Sequence, residues 1–225
     1  LRIWHIGFAG RFPVAIRSVF KNRKIISPHT RKMTKPVNEI FYSIQGEGHH
    51  AGRPAVFIRF SGCNLRCTFC DTDHSEHRFM SDEEIVEAAG AYPSRYAVLT
   101  GGEPALYVDD ALVASLHAAG FSVAVETNGT RILPDAVDWV TLSPKEDFCT
   151  DAEVVLRHAD EIKIVFTGQS LTRYSEIAAR YYYIQPCDEG DPQRNLDNVK
   201  SCVDYCLAHP KWRLSLQIHK LIGIR

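Results

Sequence analysis

Three cysteines fall within eight residues, in the run Gly62-Cys63-Asn64-Leu65-Arg66-Cys67-Thr68-Phe69-Cys70. A C-x3-C-x2-C loop of this length can wrap three thiolates around one corner of an iron–sulfur cube. Three cysteine ligands on a four-iron cluster leave one iron open to a substrate or cofactor. A structural zinc normally takes four protein ligands, and no nearby fourth cysteine with zinc-finger spacing follows, so a zinc-stabilised binding module is the weaker reading and chance burial of three thiols the weakest. Four further cysteines, Cys149, Cys187, Cys202 and Cys206, make the total seven. An odd count without a secretory signal argues against a disulfide framework and for a reducing compartment, which makes the cytoplasm the expected location. Cys202 and Cys206, four apart on one helical face, read as core or half-exposed thiols. Cys149 and Cys187 read as incidental.

A second chemical segment is Thr100-Gly101-Gly102-Glu103-Pro104, which follows a β-branched run. Glycines permit close backbone approach, and a strand end is where a parallel α/β sheet places its ligands. The surrounding pattern supplies such strands. Apolar runs at 55–60, 96–100, 121–126, 139–142, 161–166, 181–185 and 213–218 alternate with helical stretches at 82–90, 108–119, 171–180 and 196–208. Ser81 and Glu84 form a capping box, and Gly120 suits the end of the second helix. The alternation predicts an α/β fold with a mostly parallel six- to seven-stranded sheet of right-handed βαβ units. The span is too short for a closed eight-stranded barrel of ~250 residues, which leaves a partial (β/α) barrel.

Charge divides the chain. Residues 1–32 hold eight basic residues and no acid; the remaining 18 basic against 27 acidic residues give 33–225 a net charge of -9. So acidic a body argues against a nucleic-acid partner. The first methionine, Met33, stands at the boundary, and the expected division is a basic extension over 1–32, disordered, a transit segment or the product of a misplaced start, followed by a catalytic core over 33–225. No apolar run reaches the ~20 residues that span a bilayer.

With Phe69 as the aromatic before its last cysteine, the cysteine loop resembles the radical S-adenosylmethionine enzymes, and Gly101-Gly102-Glu103-Pro104 resembles their GGEP motif. The resemblance implies a 4Fe-4S cluster whose open iron chelates S-adenosylmethionine and an electron that releases a 5'-deoxyadenosyl radical. It narrows through Ser43-Ile44-Gln45-Gly46-Glu47-Gly48, Gly52-Arg53-Pro54, Cys70-Asp71-Thr72, Glu126-Thr127-Asn128-Gly129, Ser143-Pro144-Lys145, Glu161-Ile162-Lys163, Gln185-Pro186 and Leu214–Lys220, which are similar to the 7-carboxy-7-deazaguanine synthase family. That family implies conversion of 6-carboxy-5,6,7,8-tetrahydropterin to 7-carboxy-7-deazaguanine with loss of ammonia, on the route to queuosine. The alternative within the superfamily is an enzyme such as a glycyl-radical activase.

Laid on matching positions, the resemblance implies that Cys63, Cys67 and Cys70 bind the cluster. Phe69, Gly102, Glu103, Ser143, Pro144, Lys145, Gln185, Pro186, Cys187 and Asp188 would line the S-adenosylmethionine site. Ile44, Gln45, Gly46, Arg59, Thr100 and Arg225 would contact the substrate, and Thr72 would ligate Mg2+. A flavodoxin or ferredoxin as electron donor and a homodimer are implied as well. Two departures bear on the site. Ile218 replaces a threonine usual in the family, removing a hydroxyl expected near the substrate, and Asp73–His77 lacks the usual aromatic character. His49, His50 and His74 read as surface or loop histidines.

Overall fold

The computed structural model describes residues 33–70, 72, 76–174 and 176–224; the expectations for 1–32, His74 and Arg225 lie outside them. In chain order the elements are β1 (Lys35–Ile44), β2 (Pro54–Phe60), β3 (Arg78–Met80), α1 (Asp82–Gly90), β4 (Tyr96–Gly101), α2 (Asp110–Ala118), β5 (Ser122–Thr127), β6 (Trp139–Leu142), β7 (His158–Phe166), β8 (Ala178–Pro186), α3 (Pro192–Ala208), β9 (Trp212–Leu214) and α4 (Ile218–Leu221). Among the described residues they build one open sheet in the order β3-β1-β2-β4-β5-β6-β7-β8-β9. From β2 to β9 every pairing is parallel; β1 runs antiparallel to both β2 and β3. The expected partial barrel is present, with nine strands instead of six or seven.

Three further expectations need correction. β1 was not foreseen as a strand: its residues are mostly half-buried, so its apolar signal is dilute. The stretch 171–180 is not a helix but a short 3₁₀ turn, Thr172–Tyr174, running into β8; Leu171, Tyr174 and Ile177 fall at helical spacing because all three plug the core beneath β7 and β8. The strand expected at 213–218 stops at Leu214, and Ile218 begins α4.

Other local signals hold. Ser81 Oγ accepts from the Glu84 backbone while Glu84 Oε2 accepts from the Ser81 N–H at 2.7 Å. Gly120, at φ +83°, carries the left-handed turn after α2. α1 and α2 seal one core against β1, β2, β4 and β5 through Ile85, Leu112, Val113 and Leu116. A second core, around Ile162, Ile164 and Ile184, lies under α3 and takes in Cys202. Cys202 is fully buried and Cys206 packs beside it, as core thiols should. Burying side chains this size stabilises by about 1.5–3 kcal/mol each, which fixes the strands whose C-terminal ends carry the site.

Candidate active site

The parallel strands end along one edge, and each end delivers a chemical segment. β2 runs into the cysteine loop, β4 into Gly101–Pro104, β5 into Thr127–Asn128, β6 into Ser143–Lys145 and β8 into Gln185–Asp188. These ends surround a cavity of about 440 Å³. Its lining includes Ile44, Gln45, Gly46, Arg59, Cys63, Cys67, Phe69, Cys70, Thr72, Thr100, Gly102, Glu103, Ser143, Lys145, Gln185, Pro186, Cys187 and Asp188. Of the candidate site residues among the described ones, only Pro144 is not in the lining.

The cysteine loop is pinned to its neighbours before any ligand binds. Gly102 N donates to Phe60 O and Glu103 N to Gly62 O, both at 3.0 Å. A Cβ on Gly102 would lie 2.0 Å from Gly62 O, so only glycine lets the two loops meet. Asn64 is held by Asn128 Nδ2 at 3.2 Å and itself donates to Thr130 Oγ1 at 2.9 Å. Glu103 is the bracket between β4 and β5. Its Oε1 accepts from Thr127 Oγ1 at 2.6 Å and Ala105 N at 2.9 Å, and its Oε2 from Asn128 N at 2.7 Å. Burial pushes its carboxyl up, against the pull of these donors.

The donor set suits a cluster rather than one ion. Three thiols line the cavity from one loop, and among the described residues no three His, Cys, Asp or Glu side chains converge as a single-ion site. Lys145 suits a ligand carboxylate: its Nζ donates to Ser143 O and Oγ, both at 2.6 Å, and it pairs with no carboxylate among the described residues. Burial pulls its ammonium down from the usual lysine range.

The cavity is also charged in a way the sequence did not reveal. Lys163, 5% exposed, bonds to Glu47 and lies 3.6 Å from Glu126. Gln45 Nε2 donates to Glu126 Oε1 at 2.8 Å, and Gln217 Nε2 to Glu47 Oε1 at 2.9 Å. Burial alone would raise Glu47, but the Lys163 ammonium and the Gln217 amide outweigh it and hold its carboxyl at about 2. Burial likewise works to lower Lys163, and Glu126, Glu47 and Glu161 overcome it, so the lysine stays charged. Arg59 gives its Nε–H to Glu39 at 3.0 Å, leaving its Nη groups as the donors a ligand can use. Glu47, Glu126, Lys163, Gln217 and His219 all line the cavity. Their signal was a charged or amide residue inside an otherwise apolar strand or beside a glycine turn.

Ile218 is not part of the lining. Its backbone N–H seats α4 by donating to Gly46 O at 3.0 Å, so the threonine replacement removes no hydroxyl from the cavity. His49 is exposed and stacks on Tyr181, and His50 is half-buried and meets Trp139 edge-on; neither is in the cavity lining. Cys187 does line it. Cys149 is not incidental, since its Sγ lies 3.5 Å from Cys67 Sγ.

An open parallel sheet with a three-cysteine loop and a glycine-glutamate loop at its carboxyl edge defines a radical S-adenosylmethionine protein, and residues 57–145 match the Radical SAM superfamily. The 7-carboxy-7-deazaguanine synthase of Bacteroides thetaiotaomicron is 50% identical over 193 residues, covering 86% of this chain and all of that protein. The synthase of the same name from Burkholderia multivorans is 43% identical over 216 residues, covering 85% of this chain and all of that protein. The crystal structure of QueE from Escherichia coli superposes with a TM-score of 0.69 at 30% identity, over 83% of this chain and 95% of that one. The chain belongs to the 7-carboxy-7-deazaguanine synthase family, radical S-adenosylmethionine lyases of queuosine biosynthesis.

Proposed function

We propose that this chain converts 6-carboxy-5,6,7,8-tetrahydropterin to 7-carboxy-7-deazaguanine with loss of ammonia, and that residues 33–225 suffice for it. The observation that carries this reading is one cavity lined both by the three loop thiols with Lys145 and by Glu47, Glu126, Gln45, Gln217 and Arg59. The bound 4Fe-4S cluster and S-adenosylmethionine supply a 5'-deoxyadenosyl radical. Everything else falls to the chain's own side chains.

Cys63, Cys67 and Cys70 hold the cluster. Lys145, unpaired by any protein carboxylate among the described residues, takes the carboxylate of S-adenosylmethionine, and the segments at Gly102, Ser143–Lys145 and Gln185–Asp188 enclose the rest. The pterin's amino-pyrimidinone edge presents N–H donors, which Glu47 and Glu126 can only accept. Lys163 keeps Glu47 ionised for that purpose. Arg59 offers its remaining fork to the substrate carboxylate. Thr72 contributes one hard oxygen to Mg2+, the rest coming from substrate and water, a usual arrangement for this cation. Seven free thiols favour a reducing cytoplasm with a flavodoxin or ferredoxin as electron source, and the working form is a homodimer. No helix among the described residues is long and apolar enough to cross a membrane.

Anaerobic incubation of the cluster-loaded protein with the carboxytetrahydropterin, S-adenosylmethionine, Mg2+ and a low-potential reductant should yield 7-carboxy-7-deazaguanine and ammonia. An intact cluster that forms no deazaguanine would overturn the assignment and favour another radical enzyme. Thr72→Ala should weaken the Mg2+ dependence while leaving S-adenosylmethionine binding near wild type; equal losses of both would remove Thr72 from the metal site.

A further inference from the structure

We propose that Cys149 donates an S–H···S hydrogen bond to Cys67 while Cys67 ligates the cluster, and so helps to set the cluster's reduction potential. The two sulfurs are 3.5 Å apart. A metal-bound thiolate carries no proton, so of this pair only Cys149 can donate once the cluster is in place. Cys149 is also placed behind the ligand rather than in front of it: Cys63, Cys67 and Cys70 line the cavity and Cys149 does not. It therefore does not compete with S-adenosylmethionine for the open iron.

The contact is built, not a chance approach. Phe148 N and Cys149 N both donate to Lys145 O, at 2.9 and 3.0 Å, closing a turn on the residue that faces the cofactor. From that turn Phe148 packs edge-on against Phe69 of the cysteine loop, with centroids 4.7 Å apart. Two side chains of one turn thus grip two residues of the loop, and both thiols are half-buried, where a weak donor is not replaced by bulk water. Hydrogen bonds to cluster sulfurs are among the factors that tune such potentials. A donor stabilises the reduced, more negative cluster most, so it raises the potential and eases electron entry.

This inference rests on the family's cluster occupying the three-cysteine loop and not on the identity of the pterin. Cys149→Ala and Cys149→Ser are to be reconstituted anaerobically, checked for iron and sulfide, and titrated by EPR-monitored potentiometry without S-adenosylmethionine or substrate. Cys206→Ala serves as the control. Cys149→Ala should load fully, show a more negative potential with a roughly two- to fivefold smaller reduced fraction at fixed poise, as weak hydrogen bonds warrant, and lose an exchangeable-deuteron coupling to the cluster in D2O. Cys149→Ser, with a hydroxyl donor, should keep most of the wild-type potential and the coupling. A wild-type potential and coupling in Cys149→Ala would overturn the proposal. So would equal shifts in the alanine and serine variants, which mean packing alone, or loss of the cluster in both, which means Cys149 is a ligand.

Discussion

Gly46 and His219 are pressed together so closely that a Cβ on the glycine would lie 2.1 Å from His219 Nδ1 and 2.9 Å from the His219 backbone nitrogen. The Ile218 N–H to Gly46 O bond closes the same contact. The turn after β1 and the C-terminal α4 are therefore one unit, and Gly46 and His219 both line the cavity, where we propose the pterin binds. Gly46→Ala has to push α4 away. We expect a folded protein destabilised by about 1–3 kcal/mol, the usual cost of overpacking, with KM for the pterin raised more than KM for S-adenosylmethionine. Steady-state kinetics with each ligand varied in turn checks this, and an equal rise in both would mean general loosening.

Gly102 meets backbone rather than side chain: its added Cβ would lie 2.0 Å from Gly62 O and 2.4 Å from Gly62 C. Neither atom can rotate aside. Gly102→Ala should displace the start of the cysteine loop and lower the iron and sulfide bound per chain after reconstitution. Gly90→Ala, where nothing lies within 4 Å and φ is ordinary, is the matched control and should load like wild type. Equal loading of the two variants would show that the loops need not touch.

The Lys163–Glu47 pair sets a pH window. Glu47 sits at about 2, below its ordinary 4.5, so its contribution is complete above pH 4.5 and is lost as pH falls towards 2. Lys163 is held above its ordinary 10.5, so its contribution is complete below pH 10.5 and is lost as pH rises beyond it. Lys163→Met leaves two half-buried carboxylates without the ammonium they share and should cost up to about 3–5 kcal/mol at neutral pH, the price of breaking a buried pair from one side. Denaturant unfolding at pH 7 and again near pH 3 should find the gap to wild type narrowing in acid. A gap that does not change with pH would make Lys163 a packing residue.

How much of this was legible in the sequence depended on whether a feature is local. Ser81 with Glu84, Gly120 after α2, and the three cysteines are recognised at short spacing, and each took its expected place. The segments at Gly101–Pro104, Ser143–Lys145 and Gln185–Asp188 came from the family resemblance, and they meet around one cavity because each follows a parallel strand and such a sheet brings its strand ends to one edge. Lys163, Glu126 and Glu47 were quoted in their motifs without roles, because their meaning lies in one another across 37 to 116 positions of the chain. Cys149 was misread for the same reason, its partner being 82 residues away. The 171–180 error has another cause: Leu171, Tyr174 and Ile177 are spaced like a helix face, yet they plug a core from a turn and a strand start.

Every residue given a role in the proposed reaction lies within 33–225. A chain beginning at Met33 should therefore load its cluster and turn over at the full-length rate. The measurements are iron content and kcat on both forms; a truncated chain that folds and loads yet loses activity would give the basic segment a part in the reaction.

Glu103 gives the sharpest test of how the cofactor loop is ordered. Its two oxygens accept three hydrogen bonds, from Thr127 Oγ1, Ala105 N and Asn128 N, and it is 1% exposed. Glu103→Gln keeps the shape but replaces one acceptor by an NH2. Whichever way the amide turns, that NH2 faces an N–H or O–H donor, and an unsatisfied buried donor costs about 1–3 kcal/mol. The β4 and β5 ends should then separate, which lowers Tm and weakens S-adenosylmethionine binding to the loaded protein, with little change in iron content because the cysteine loop keeps its backbone bond from Glu103 N to Gly62 O. Calorimetric Tm and equilibrium binding of S-adenosylmethionine read the two effects separately. A variant with wild-type values in both would mean that the carboxylate does not order the loop, and that backbone contacts at Gly101 and Gly102 do so alone.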